Sequence, residues 1–153
     1  MANTYTQIHI QFVFAVKYRG TCIDLLWREE LYKYITGIIH NNGHKLIAIN
    51  GMSDHIHLLI GVRPNQSISE LMKLVKTNSS KWINENRFVN GRFEWQEGYG
   101  AFSYGKSQVN DVVIYINNQQ QHHSRRTFKE EYVEFLERFE IDYDEKYIFK
   151  DLI

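Results

Sequence analysis

The segment KLIAINGMSDHIHLLIGV, residues 45–62, constrains the fold more than any other part of the chain. It reads as two strands joined by a turn at Gly51 to Asp54. Pro64, the only proline, ends the pair, because proline has no N–H to give to a ladder. A lone hairpin is marginal in water, so flanking elements must cover it. Upstream, YTQIHIQFVFAV (residues 5–16) alternates and then turns continuously apolar, which predicts a long first strand. Between them, DLLWREELYKYITGIIHNNG repeats Leu25, Leu26, Leu31, Ile35, Ile38 and Ile39 at helical spacing, and Asn-Asn-Gly at 41–43 stops that helix. Downstream, Ser67 and Glu70 form the ends of a capping box that opens a helix reaching about Arg87. A glycine-dense strand or extended loop, RFEWQEGYGAFSYG, follows. Ser107 is then placed to cap a third helix, QVNDVVIYINNQQQHH, and a short fourth helix near 128–139 precedes a loose Tyr-rich end.

The order is therefore strand, helix, strand, strand, helix, strand, helix. That order predicts an α+β fold, a ferredoxin-like or split βαβ antiparallel sheet with helices on one face. With no repeat and no low-complexity linker, residues 1–153 read as one domain ending in an acidic tail over about 130–153.

The formal net charge of zero conceals an asymmetry. Residues 1–129 carry 15 Lys/Arg against 9 Asp/Glu, whereas residues 130–153 carry 3 against 9. A basic body of net +6 suits a polyanionic partner, although a solvated acidic tail accounts for the same distribution. One cysteine, Cys22, excludes an internal disulfide and a cysteine-based zinc site. No secretory signal and no bilayer-spanning run is read, so the expected protein is soluble and cytoplasmic, with no membrane partner.

His55 and His57 stand out within the apolar run. Residues i and i+2 of a strand share a face, so the two imidazoles lie side by side and can grip one cation. Taken alone, a His-x-His strand is more often a pair of histidines satisfied by backbone or solvent. His9 lacks such a neighbour and reads as structural. The third helix supplies what the pair needs. Tyr115 and Gln119 are four residues apart and share a helical face. A glutamine carbonyl suits Mg²⁺ or Mn²⁺ beside imidazole. A phenol near that cation can attack an electrophile, and a phosphodiester is the electrophile that suits a metal and a phenolate. Tyr115 in the core and Gln119 in solvent is the plain alternative.

HIH on a strand, followed about sixty residues later by YINNQ on a helix, resembles the single-tyrosine HUH transposases of the smallest bacterial insertion sequences. This transposase A family includes the REP-associated tyrosine transposases. MSDHIHLLI, WQEGYGAFS and YINNQQQHH are similar to the same family, and the resemblance runs nearly the whole chain. It implies that His55, His57 and Gln119 hold Mg²⁺ or Mn²⁺. It implies that Tyr115 cleaves single-stranded DNA and keeps a 5′-phosphotyrosine link, which a 3′-hydroxyl later attacks. It also implies recognition of DNA hairpins and a homodimer in which the tyrosine helix of one subunit completes the histidine site of the other. Gly98, Gly100 and Gly105 would give the preceding segment freedom for that exchange.

Candidate phosphate contacts are Lys73, Lys76, Lys81, Arg87, Arg92 and Lys106, any one of which also reads as a solubilising charge. His122 and His123 read as lining a helix end, or as assisting proton transfer. Two rival functions fit the same residues: a domesticated hairpin-binding protein that no longer cuts, and a metal-dependent phosphoesterase acting on small nucleotides through water.

Overall fold

A computed structural model describes residues 3–153. Strands β1 (His9–Ala15), β2 (Lys45–Met52), β3 (His55–Gly61) and β4 (Gly100–Tyr104) form one sheet in the order β2-β3-β1-β4. Every pairing is antiparallel. This is the α+β, split βαβ arrangement that the sequence predicts. The most apolar runs become the two central strands, β1 and β3, because only central strands are covered on both faces. The β2–β3 ladder shifts register between Leu46 and Ala48.

Alternation along the strands sorts their side chains. Phe12 and Phe14 of β1 and Ile56, Leu58 and Ile60 of β3 point to one face and are fully buried. There they join Leu31, Ile35 and Ile39 of α1 (Leu25–Asn41) and Leu71, Met72 and Val75 of α2 (Ile68–Glu85) in one core. Each such side chain contributes roughly 1.5–3 kcal/mol by leaving water. The Asp24 side chain accepts from Leu26 N–H to start α1, and Ser67 accepts from Glu70 N–H to start α2, which is the Ser67 half of the expected capping box without the return bond to Glu70. Leu25 and Leu26 are not part of the buried stripe; they sit on the exposed first turn of α1.

The two long helices thus occupy one face. Three short helices from the last third of the chain cover the other, so helices flank both faces rather than the one expected: α3 (Val109–Asn117), α4 (Gln119–His123) and α5 (Phe128–Arg138). Val109, Val112 and Ile116 pack with Leu59 and Ala48. Phe135 and Phe139 lie against Phe102 of β4, with ring centroids 5.0 Å away in each case.

Several local expectations give way. Strand β1 begins at His9 rather than at residue 5. Ser107 lies in a short 3₁₀ turn and caps nothing; the Gln108 side chain accepts from Gly105 N–H instead. The third helix is broken at Asn118, and Asn50 of β2 donates to the carbonyls of Ile116 and Asn117 at 3.0 and 3.3 Å. The end of the chain is docked rather than loose. Ile153 and Lys17 and Arg19 exchange backbone hydrogen bonds, and buried Phe149 packs on Phe128 and Tyr132. No helix among the described residues is long and apolar enough to cross a membrane.

Candidate active site

His55 and His57 point to the face covered by the short helices, and both are fully buried. Strand β2 must come very close to the strand that carries them. A Cβ at Gly51 would lie 2.2 Å from the His55 carbonyl oxygen, so position 51 needs glycine. Phe128 stacks on His55 at 4.2 Å and fixes its ring.

The broken third helix still delivers both of its expected residues. Gln119 is fully buried, and its Oε1 lies 2.9 Å from His55 Nε2. The Tyr115 hydroxyl reaches the same cluster, with its ring stacked on His122 at 4.3 Å. All four residues converge within one chain. Two further groups join them. His123 Nε2 lies 3.1 Å from both Gln119 Oε1 and Glu131 Oε1. Glu131 Oε1 is 3.0 Å from His57 Nε2, and Glu131 Oε2 accepts from the Tyr115 hydroxyl and, at 3.3 Å, from Gln119 Nε2. Arg126 Nη2 donates to the Tyr115 oxygen at 2.8 Å and its other nitrogen pairs with Glu134.

The charge balance follows from these contacts. Burial alone would raise the Glu131 carboxyl, but hydrogen bonds from His123 and His57 and the neighbouring imidazoles outweigh it and hold the group far below the usual carboxylate range. Burial drives His57 toward its neutral form, with Glu131 opposing. Burial and then the Glu131 charge push the Tyr115 phenol well above its ordinary value, and Arg126 pulls the other way. In this arrangement Tyr115 is a protonated hydrogen-bond donor.

The donor set fits a divalent cation. His55 turns Nδ1 to Asp54 Oδ1 at 2.8 Å and Nε2 to Gln119 Oε1, so both ring nitrogens face oxygen acceptors. His123 does the same, with Nδ1 3.2 Å from the Arg126 carbonyl. A neutral imidazole has one N–H and one lone pair. Each ring must therefore gain a proton or aim a lone pair at an oxygen. A cation at the meeting point removes that conflict, since the outer N–H groups then donate outward and the inner nitrogens become ligands. One ligand atom from each of His55, His57, His123 and Glu131 lies within 4.8 Å of the others. The 2.9–3.1 Å separations match the edge of an octahedron with ligand distances of about 2.1 Å, which is about 3.0 Å. Gln11, fully buried on β1, supports His57: its Nε2 is 2.9 Å from His57 Nδ1 and its Oε1 accepts from Tyr104. Turning that amide over would present Gln11 Oε1 to a His57 Nδ1–H and leave the His57 Nε2 lone pair for a cation.

The expected phosphate contacts are scattered. Lys73 and Lys81 are exposed on α2, across the sheet from the histidines, and Lys81 pairs with Glu85 at 3.8 Å. Lys76 is a structural clasp rather than a free cation: its ammonium donates to the carbonyls of Gln96 and Gly98 at 2.8 and 2.6 Å. Arg87 and Arg92 lie exposed in the loop after α2. Lys106 lines a cleft of about 1050 Å³ together with Arg63 and Tyr5, at the far end of β1 from Ala15 and His55. Beside the cluster itself, a second cleft of about 480 Å³ is lined by Asp54, His123, Arg125, Arg126 and Phe128.

Gln11, Arg126 and Glu131 escape the sequence reading, and His123, expected at a helix end or in proton transfer, stands in the cluster beside Gln119 and Glu131. One signal for Glu131 exists: Phe128, Glu131, Tyr132, Phe135 and Leu136 fall at helical spacing, which puts a carboxylate on an apolar stripe.

A four-stranded antiparallel sheet in this order is the fold of the tyrosine transposases, and here it presents paired histidines to a tyrosine and a glutamine. Residues 4–119 match the IS200-like transposase family, and the chain belongs to it. It is 26% identical over 125 residues to the transposase of insertion sequence IS200 from Salmonella typhimurium, covering 78% of this chain and 81% of that one. It is 29% identical over 75 residues to the ISDra2 transposase TnpA of Deinococcus radiodurans, a match spanning 49% of this chain and about half, 54%, of the relative. Among solved structures, a Deinococcus radiodurans transposase structure superposes with a TM-score of 0.60 at 22% identity, covering 78% of this chain and 95% of that one. A REP-associated tyrosine transposase bound to a REP hairpin superposes with a TM-score of 0.61 at 13% identity, covering 80% and 73%.

Proposed function

We propose that this chain cuts and rejoins single-stranded DNA at insertion-sequence ends, with Tyr115 as nucleophile and with His55, His57 and Gln119 holding Mg²⁺ or Mn²⁺. The observation that carries the reading is the convergence of the Tyr115 hydroxyl on the histidine pair, although 58 residues separate Tyr115 from His57 in the chain. Tyr115 Oη attacks the phosphorus and loses its proton, the Oη–P bond forms, and the P–O3′ bond breaks. The 3′-oxygen leaves with the bonding pair and takes up a proton, and the 5′-phosphate stays on the tyrosine. Attack on that link by a 3′-hydroxyl reverses the step, so no external energy source is needed. A bound divalent ion would supply positive charge to the phosphoryl oxygens. Arg126, already on the phenol oxygen, is placed to hold a phosphate there.

Hairpin recognition is proposed from the family and from the hairpin-bound neighbour. The cleft holding Lys106, Arg63 and the exposed Tyr5 ring supplies cations and a stacking surface for unpaired bases. A homodimer and a cytoplasmic location belong to the same proposal. The test is a labelled, hairpin-containing oligonucleotide with Mg²⁺ or Mn²⁺. Wild type forms a covalent protein–DNA adduct and Tyr115→Phe forms none; equal adduct from both overturns the mechanism. Tight hairpin binding with no adduct from wild type in either ion would favour the non-cutting binding protein.

A further inference from the structure

Glu131 lies outside the family-matched segment, on a helix that the sequence reading assigned to an acidic tail. Its side chain is nonetheless fully buried, and its two oxygens face different partners. Oε1 looks into the histidines, 3.0 Å from His57 Nε2, 3.1 Å from His123 Nε2 and 3.6 Å from His55 Nε2. Oε2 accepts from the Tyr115 hydroxyl and from Gln119 Nε2. A carboxylate polarised from one side has less charge to offer on the other. A cation on Oε1 therefore weakens the hold of Oε2 on the phenol, and the phenol hydrogen bond weakens Oε1 as a ligand. By linkage the two effects are equal in free energy.

We propose that Glu131 is a bridging residue that couples occupancy of the metal site to the position of Tyr115. Metal binding then releases the nucleophile from its resting hydrogen bond toward Arg126 and the phosphate. The proposal rests on the metal-site reading given above.

The coupling is measured on metal affinity alone, without DNA, by calorimetric titration of Mn²⁺ into the purified full-length chain. Removing the phenol hydrogen bond with Tyr115→Phe strands charge on the carboxylate and should tighten Mn²⁺ by about fivefold, the worth of one ordinary hydrogen bond. In Glu131→Gln and Glu131→Ala backgrounds, Mn²⁺ binding weakens tenfold or more and Tyr115→Phe no longer changes it. Glu131→Gln keeps the shape of the buried side chain, so the cycle survives if the alanine variant fails to fold. Equal Mn²⁺ affinity for wild type and Tyr115→Phe overturns the coupling, as does the same tightening in the Glu131→Gln background. His57→Ala separates the two readings. If it binds Mn²⁺ as wild type does, the metal site itself is wrong. If it loses Mn²⁺ while the cycle shows no coupling, only the role of Glu131 falls.

Discussion

Gly100 offers a sharp test of how the C-terminal helix is seated. A Cβ built there would lie 2.7 Å from Tyr132 Cε1, 2.8 Å from Tyr132 Oη and 3.0 Å from Phe102 Cε2. Ordinary carbon contacts begin near 3.5 Å, so Gly100→Ala requires the Tyr132 ring to retreat by roughly 0.8 Å. Tyr132 is 7% exposed and wedged against Phe128 and Phe149, so it has little room to do so. Overpacking of this kind costs about 1–3 kcal/mol. Replacing glycine also restricts the unfolded chain, which offsets about 0.4–1 kcal/mol. The expected net loss is about 1–2 kcal/mol, read as a lower urea midpoint at unchanged slope. In a Tyr132→Leu background the two closest contacts are gone and only Phe102 Cε2 at 3.0 Å remains, so the cost of Gly100→Ala should shrink markedly. A Gly100→Ala cost that is the same in both backgrounds would refute the steric account. Glu131 precedes Tyr132, so displacement of the helix should also weaken Mn²⁺ binding in Gly100→Ala. Gly100 is thus a packing requirement, and Gly98, at φ +83°, is a backbone requirement.

Two other outcomes follow from the same structure. Burial raises the phenols of Tyr32 and Tyr132 to about 12; a folded value above the unfolded value of about 10 means stability that is complete below pH 10 and lost as pH rises toward 12, on the order of 2–3 kcal/mol for each. Urea midpoints between pH 9 and 12 should fall less steeply for Tyr132→Phe, and parallel curves would contradict the assignment. The site closes within one chain, so a mixture of His57→Ala and Tyr115→Phe proteins should form no covalent DNA adduct, whereas restored adduct would show that the tyrosine helix is exchanged between subunits.

The sheet was readable because its determinants are local. Apolar runs, a turn that falls at Ser53 and Asp54, inside the expected Gly51 to Asp54, and a capped helix at Ser67 each act over a few residues, and together they admit few topologies. The shared face of His55 and His57 was readable for the same reason, since the strand period sets it, whereas Tyr115 and Gln119 reach them from two helices on either side of Asn118. The break at Asn118 was not readable, because the side chain that takes the freed carbonyls is Asn50, on another element. Lys76 looked like its neighbours on α2, yet the carbonyls it clasps lie 20 and 22 residues away.

Glu131 is the instructive miss. In the sequence it is one of nine acids in a segment of 24 residues, and a run of acids ordinarily means solvent. A carboxylate is stable in a dry interior only when hydrogen-bonded and matched by opposite charge. The hydrogen bonds come from Tyr115, His123 and Gln119, 16, 8 and 12 residues away, and His57, 74 residues away, and the Arg126 guanidinium, 4.0 Å from Oε2, supplies opposite charge. No local window contains that balance. The apolar stripe of α5 does carry its trace, because a helix that buries Phe128, Tyr132 and Phe135 must bury Glu131 with them. A buried carboxylate of that kind demands partners. In this fold the face that α5 covers offers three imidazoles and a phenol, so the demand of the tail and the chemistry of the histidine strand meet at one place.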